Sequence, residues 1–507
     1  MEPKQASEKS IDSKQIVGIV TDNDMTLHKC KSDHVERPQR LTSIVEHLKK
    51  TDLLTKCVFI DKLTEVDDAH IKTIHSQNYI DYVREICEEY DEEKDLTPKD
   101  TYYNKSTDMA ARKALGGAKL LVDKVISGEW NSGYGVLRPP GHHAAIDGKV
   151  NGFCIFSTVA LTALYAKKKY GLKRILIFDW DVHHGDSTQK FLYENSEILF
   201  ISLHRFDGGK FYPGPSGSVH NIGKGKGAGF NLNIPWESDG DELQPLAGNP
   251  EYIYAFERIA YPIIKSFAPE LIFVSAGFDS GRGDPLGSLD VTQDGYAYML
   301  KRLQTVQSKI VMCLEGGYNL NTISVASEAC VRVLLGEELP LACSETGLTL
   351  DELKNTVAPN KAAVDVVAKA CNVFDKYWGE QLRAKELNEF HLLALSNSKN
   401  KCALCTGNIL TNRITEDKFF KKLNPFEHQF YESFKKQEGE LYTQHESIKE
   451  WLSPYLGTEK IEGVEFIVLQ NLVGKLNNAS VLKIKVYPSM ETDELSAVLV
   501  GKGEGFL

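Results

Sequence analysis

The stretch Ile175-Leu-Ile-Phe-Asp-Trp-Asp-Val-His-His-Gly-Asp186 restricts what this chain can fold into more than any other. Four consecutive apolar residues, Ile175 to Phe178, predict a strand covered on both faces, as in a parallel sheet flanked by helices. Asp179, Asp181 and His183 then alternate. In extended backbone, residues two apart point to the same side, so Asp181 and His183 can reach one cation while Asp179 sits just behind them. A carboxylate and an imidazole are two of the ligands a hydrolytic zinc site needs.

Other short apolar runs read as strands: Gln15 to Thr21, Cys57 to Ile60, Tyr134 to Leu137, Ile198 to Ser202, Leu271 to Ala276 and Ile310 to Leu314. Helical patterns lie between them, including one after Pro38, one over Ala69 to Tyr82, one over Thr107 to Val125 and one over Val159 to Lys169. This alternation predicts an α/β fold with an open parallel β-sheet and helices on both faces. Ligands bind such sheets outside the carboxyl ends of the strands. Asp179 to Asp186, Arg138 to His143, His204 to Gly214, Ser275 to Pro285 and Leu314 to Tyr318 all fall at such ends.

Two carboxylates and one imidazole would leave a catalytic zinc an open position, so Asp181 and His183 call for a third ligand. The candidate is Asp284, in the glycine-rich Ser275-Ala-Gly-Phe-Asp-Ser-Gly-Arg-Gly-Asp-Pro-Leu286 segment. Gly-Asp-Pro is equally ordinary turn chemistry, and both readings stay open. In Arg138-Pro-Pro-Gly-His-His-Ala144, two prolines and a glycine predict a rigid loop that holds His142 and His143 in place. Asp179 and Asp186 are placed to orient these imidazoles from behind. Asp186 also fits the start of the helix beginning Ser187-Thr-Gln189, in a capping-box pattern. Tyr318, after two glycines at a strand end, offers a phenol to an oxyanion or a ring to the core.

With 507 residues the chain is expected to form a large domain and a smaller appendage. We expect a disordered tail at 1–14, the main domain at 15–385 and a small C-terminal α+β module at 386–507. No apolar run suits a bilayer, and the polar N-terminus has no signal core. Ten scattered cysteines then fit reduced thiols in the nucleus or cytoplasm. A net charge of -11 disfavours direct nucleic-acid binding and favours a basic partner. Cys402-Ala-Leu-Cys405 is half of a zinc knuckle with no second pair behind it.

The motifs Arg138 to Ala144, Asp179 to Gly185, Ile201-Ser-Leu-His-Arg205, Ser275 to Asp279 with Gly283-Asp-Pro-Leu-Gly287, and Leu314-Glu-Gly-Gly-Tyr-Asn-Leu320 resemble, in order, those of the class II zinc-dependent histone deacetylases. The resemblance spans roughly residues 15 to 385. It implies the arginase/deacetylase fold and zinc-dependent hydrolysis of acetyl-lysine in proteins, histone tails among them. It assigns zinc to Asp181, His183 and Asp284. It implies His143 as general base and acid, His142 with Asp179 as its electrostatic partner, and Tyr318 as the group that polarises the acetyl carbonyl. Gly152, Phe153 and Tyr212 would line the tunnel for the lysine stem, with Arg40 below it. A structural potassium ion beside Asp179, Asp181, His183, Ser202 and Leu203 is implied too, as are acetylated basic tails and a corepressor or chromatin complex as partners.

Three departures from the usual pattern stand out. Tyr212 stands where many relatives carry phenylalanine, and Asp186-Ser187 replaces Asn-Gly. Val291 falls where acetylpolyamine-selective relatives place a glutamate, so an aliphatic residue there speaks for protein substrates. The competing expectations are an acetylpolyamine or tubulin-type deacetylase, an arginase-like two-metal enzyme, and an acyl-lysine binder without activity.

Overall fold

The computed structural model describes residues 15–383, except 32, 92–100, 238–246 and 356–358, together with five strands of the C-terminal region. The chain divides into two units, Met1–Leu353 with Pro359–Ala384, and Lys354–Ala358 with Lys385–Leu507.

Eight strands form the sheet of the first unit: β1 (Val17–Val20), β2 (Val58–Ile60), β3 (Ser132–Gly135), β4 (Ile175–Asp179), β5 (Ile198–Arg205), β6 (Asn231–Trp236), β7 (Leu271–Ala276) and β8 (Ile310–Leu314). Their order is β2-β1-β3-β8-β7-β4-β5-β6, and every neighbouring pair is parallel. The predicted α/β architecture is present. Ile175 to Phe178 are fully buried, as a strand in the middle of a two-sided sheet must be.

Register fixes what meets at the carboxyl edge. Asp179 lies opposite Ser275 of β7 on one side and Ser202 of β5 on the other. Ala276 lies opposite Leu314 of β8, and Gly135 of β3 opposite Cys313. The segments leaving β3, β8, β7, β4 and β5 therefore emerge side by side, although they are scattered along the chain.

Two local expectations change. The helix foreseen over Ala69 to Tyr82 is broken into Asp68–Ile71 and Gln77–Glu88. Ser76 starts the second piece by accepting from the Tyr79 N–H, and His75, in the break, lies 2.8 Å from the Ala145 carbonyl and accepts from Ser157 N. Strand β6 is an addition to the predicted set, and it runs through Pro235 without a break. Proline is tolerated on a sheet edge, where β6 lies.

In the second unit, β9 (Lys418–Lys422), β10 (Tyr455–Ile461) and β11 (Val464–Gln470) form an antiparallel sheet in the order β10-β11-β9, and β12 (Leu482–Pro488) pairs antiparallel with β13 (Leu495–Gly501). Residues 1–14, Cys402 and Cys405 lie outside the described residues. Among the described residues, no helix is long and apolar enough to cross a membrane.

Candidate active site

Beyond the end of β4 the chain turns so that Asp181 and His183 face the segment that leaves β7. There they meet Asp279: the ligand atoms of Asp181, His183 and Asp279 lie within 4.8 Å of one another. His183 Nδ1 is 3.2 Å from Asp181 Oδ1 and 3.1 Å from Asp279 Oδ2. The outer oxygens are already used, Asp279 Oδ1 accepting from Val182 N at 2.8 Å and Asp181 Oδ2 from Gly316 N at 2.8 Å. Two glycines make room. A Cβ on Gly277 would come within 1.9 Å of Asp181 Oδ2, and one on Gly316 within 2.2 Å of Asp279 Oδ2.

The assignment of Asp284 to the metal is corrected by this geometry. Its carboxylate accepts from the backbone N–H groups of Leu286, Gly287, Tyr318 and Asn319, at 2.9, 3.2, 2.7 and 3.3 Å. Asp284 pins the loop that carries Tyr318 instead. Asp279, only three residues beyond β7, occupies the position next to Asp181.

Burial, reinforced by Asp181, pushes the Asp279 carboxyl up to about 7. Asp181 goes the other way: despite burial, His142 and His183 hold it well below the usual carboxylate range. Against the pull of burial, Asp181 and Asp279 lift His183 to about 9. Two carboxylates and one imidazole nitrogen, with ligand atoms this close together, fit zinc in donor type and number.

The rigid loop brings its histidines to the same place. His142 Nδ1 lies 3.2 Å from Asp179 Oδ2, and its Nε2 3.6 Å from Asp181 Oδ2. His143 Nδ1 donates to Asp186 Oδ1 at 2.7 Å. Although burial opposes it, Asp181 and Asp179 raise His142 well above the ordinary imidazole value, so it is protonated. Burial and that neighbouring charge push His143 down to about 4, so it is neutral. Asp186 is the first residue of the helix Asp186–Leu192, Gly185 taking the cap position, and its side chain turns to His143.

Aromatic rings wall the approach. Phe211 stacks on His183 with centroids 5.2 Å apart, Tyr212 meets His143 edge-on at 5.0 Å, and Phe153 meets Tyr318 at 5.7 Å. Gly152 has φ 54, and a Cβ there would strike the Tyr212 hydroxyl at 2.5 Å and the His143 ring at 2.7 Å. Beneath Tyr318, the Arg40 guanidinium lies 5.0 Å from the ring centroid. Burial holds the Tyr318 phenol well above its usual value, so it remains a donor.

Val291 does not belong with this wall. Its side chain is fully buried, packed toward Gly295 at the start of the helix Gln293–Val306. A side chain with no exposed surface cannot discriminate at a tunnel mouth, so Val291 does not speak for protein over polyamine substrates. Ser202, beside Asp179, pairs its hydroxyl with His204 Nδ1 at 2.8 Å, and Leu203 follows it on β5. His184, without a role by sequence, is a buried neutral imidazole bonded to Ser216 and packed against His204.

Sequence reasoning missed Asp279. The available signal was its distance from the strand: β7 neighbours β4, so an acid three residues past β7 lies nearer Asp181 than one eight residues past it. It also missed Glu315, which is buried behind the histidine loop and accepts from the Gly141 and His142 N–H groups.

The Histone deacetylase domain family matches residues 34–334. Histone deacetylase 5 of Arabidopsis thaliana is 39% identical over 333 residues, 64% of this chain and 49% of that protein. Histone deacetylase 15 of the same plant is 35% identical over 416 residues, 79% of this chain and 70% of its own length. Human Histone deacetylase 9 is 38% identical, over 67% of this chain and 36% of its own. The crystal structure of the HDA15 HD domain superposes with a TM-score of 0.64 at 33% identity, covering 76% of this chain and 98% of that one. The chain spans about half the length of the first two Arabidopsis relatives, 49% of each.

Proposed function

Because this chain belongs to the histone deacetylase domain family, we propose that it is a zinc-dependent protein lysine deacetylase, releasing acetate and free lysine from acetylated basic tails such as those of histones. The observation that carries the reading is the meeting of Asp181, His183 and Asp279 beside two carboxylate-paired histidines and Tyr318.

Zinc held by the three ligands supplies Lewis acidity toward the acetyl carbonyl and toward water. The chain's residues do the rest. His143 commits its Nδ1–H to Asp186, which leaves Nε2 with a lone pair, and its depressed value keeps that lone pair available at neutral pH. It takes a proton from the attacking water and passes it to the leaving lysine amine. The charge on His142, balanced by Asp179, favours the negative charge that develops on the carbonyl oxygen, and the Tyr318 hydroxyl donates to that oxygen. Phe153, Phe211, Tyr212 and the backbone at Gly152 hold the lysine stem and exclude water.

Residues 15–385 constitute the catalytic domain in this reading, with 386–507 a separate module and a corepressor or chromatin complex as the partner of the whole. A potassium ion beside Asp179, Asp181, His183, Ser202 and Leu203 would firm the β4–β5 edge behind the zinc ligands. The net charge of -11 suits a cationic substrate in the nucleus or cytoplasm.

The test is deacetylation of a panel of acetylated histone and tubulin peptides, with acetylspermidine alongside, before and after chelation and zinc return. Activity on the peptides that chelation removes and zinc restores is expected. Turnover of acetylspermidine alone, or manganese-dependent urea release from arginine, would sink the proposal. Tyr318→Phe should lower turnover about a hundredfold at unchanged zinc content. Near wild-type turnover would remove the phenol from the mechanism.

A further inference from the structure

We infer that Glu315 is a positioning residue that sets the place of the catalytic histidine loop, an inference that rests on the deacetylase reading. Glu315 is 1% exposed and leaves β8 directly behind the loop. Its Oε2 accepts from Gly141 N at 2.7 Å and from His142 N at 3.2 Å, while its Oε1 is buried without a hydrogen-bond partner among the described residues. A buried carboxylate with one idle oxygen is not there for its own stability.

The loop is also packed closely against the chain before the helix Thr158–Tyr170: a Cβ on Gly141 would lie 2.6 Å from both Phe156 O and Thr158 N, so only glycine allows this approach. The His142 carbonyl, for its part, accepts from Ser187 N at 3.2 Å, which ties the same peptide to the helix that carries Asp186.

Glu315 is itself fixed. Its N–H donates to Ala276 O at 3.2 Å, Arg40 donates to its carbonyl, and Arg40 Nε donates to Gly317 O at 2.6 Å. The next residue, Gly316, donates to Asp181 Oδ2. One side chain thus joins the segment bearing Tyr318 to the loop bearing His142 and His143. Both segments must present their groups to the same carbonyl, and displacements near 1 Å in such arrangements lower rates by about 10²-fold. Without Glu315 the two N–H groups lose their acceptor, and the direct side-chain tie between the loop and the end of β8 is gone.

The experiment compares Glu315→Ala, Glu315→Asp and Glu315→Gln in the full chain. It measures kcat and KM on an acetylated peptide, zinc per chain, thermal unfolding, and amide exchange over residues 138–144. Gln keeps a carbonyl oxygen at the reach of Oε2. Asp is one methylene too short.

Glu315→Ala and Glu315→Asp are expected to lower kcat by about 10- to 100-fold with KM and zinc content near wild type, and to speed exchange at Gly141 and His142. Glu315→Gln should restore kcat to within about threefold and restore slow exchange. If Ala does not fold, the Asp and Gln pair decides by the same criteria. Turnover within twofold of wild type in Asp, loss of zinc in step with turnover, or a Gln variant as slow as Asp overturns the inference. Should the wild-type chain deacetylate nothing, the functional reading falls separately. The exchange arm then decides the brace, unchanged protection at 138–144 in Asp rejecting it.

Discussion

Two clusters of buried ionisable groups lie in the same domain and are built on opposite plans. In one, Glu36 sits among cations and donors: Arg138 donates to its oxygens at 3.0 and 2.8 Å, Arg40 at 3.1 Å and the Tyr102 hydroxyl at 2.8 Å. Arg138 also donates to Met25 O, His28 O and the Tyr102 hydroxyl. Although burial opposes it, Arg138 holds Glu36 well below the usual carboxylate range. In the other, Asp181 and Asp279 converge on one imidazole with no arginine or lysine between them among the described residues, and Asp279 rises to about 7. The chain spends two guanidinium groups on one structural carboxylate and none on the pair beside the histidine loop. The first cluster is closed by guanidinium groups that cannot give up their charge, whereas the second balances its carboxylates with imidazoles, whose protons a metal cation can replace.

The sharpest attempt to break this contrast removes Asp279. Asp279→Asn should abolish stoichiometric zinc and lower turnover by about 10³-fold or more, the several kcal/mol that a metal contributes, whereas Asp284→Asn should keep its zinc. Metal analysis of the two purified variants decides, and the reverse pattern would return the ligand role to Asp284.

Glu36→Ala comes next. Two buried guanidinium groups left without their carboxylate should lower unfolding free energy by about 3–5 kcal/mol, read by denaturant titration of the metal-free chain. In the same state Asp279→Asn, which relieves like-charge crowding, should not destabilise. Equal destabilisation would erase the distinction between the clusters.

The acid limb offers a related check. A depressed carboxyl contributes stability that is complete above its unfolded value, 4.5, and drains as pH falls toward the folded value. Glu36→Gln should therefore flatten the loss of stability below about pH 4.5. An acid limb as steep as in wild type would mean that other carboxylates govern it.

The smallest effect expected is that of Tyr102→Phe, which deletes one donor to Glu36 and one acceptor for Arg138, at about 1–2 kcal/mol by the same titration. No change would show that the two arginines alone saturate Glu36.

The residues Ile175 to Asp186 and the Pro-Pro-Gly-His-His loop were legible because their chemistry is local. A four-residue apolar run fixes a buried strand, and the alternation of Asp181 and His183 follows from extended geometry alone. Even the pairing of His143 with Asp186 could be expected from residue types. The break at Ser76 was hidden, because apolar spacing on either side of a short interruption reads as one helix. Glu36 and Arg138 were hidden more deeply. The segment His34 to Arg40 has the polarity of a surface loop, and only contact with Arg138 and Tyr102 makes Glu36 a buried group.

By itself, the sequence determined the parallel α/β sheet, the strand ends where the candidate site lies, two of the three members of the Asp181, His183 and Asp279 cluster and both histidines beside it. Tertiary structure decided the third member of the cluster. Gly277-Phe-Asp279 and Gly283-Asp-Pro285 are both carboxylates in glycine-rich turns after the same strand, and local chemistry does not rank them. The packing of β4 against β7 does, since parallel register places the first residues beyond one strand beside the first beyond its neighbour. The later aspartate is left to the backbone N–H groups around Tyr318.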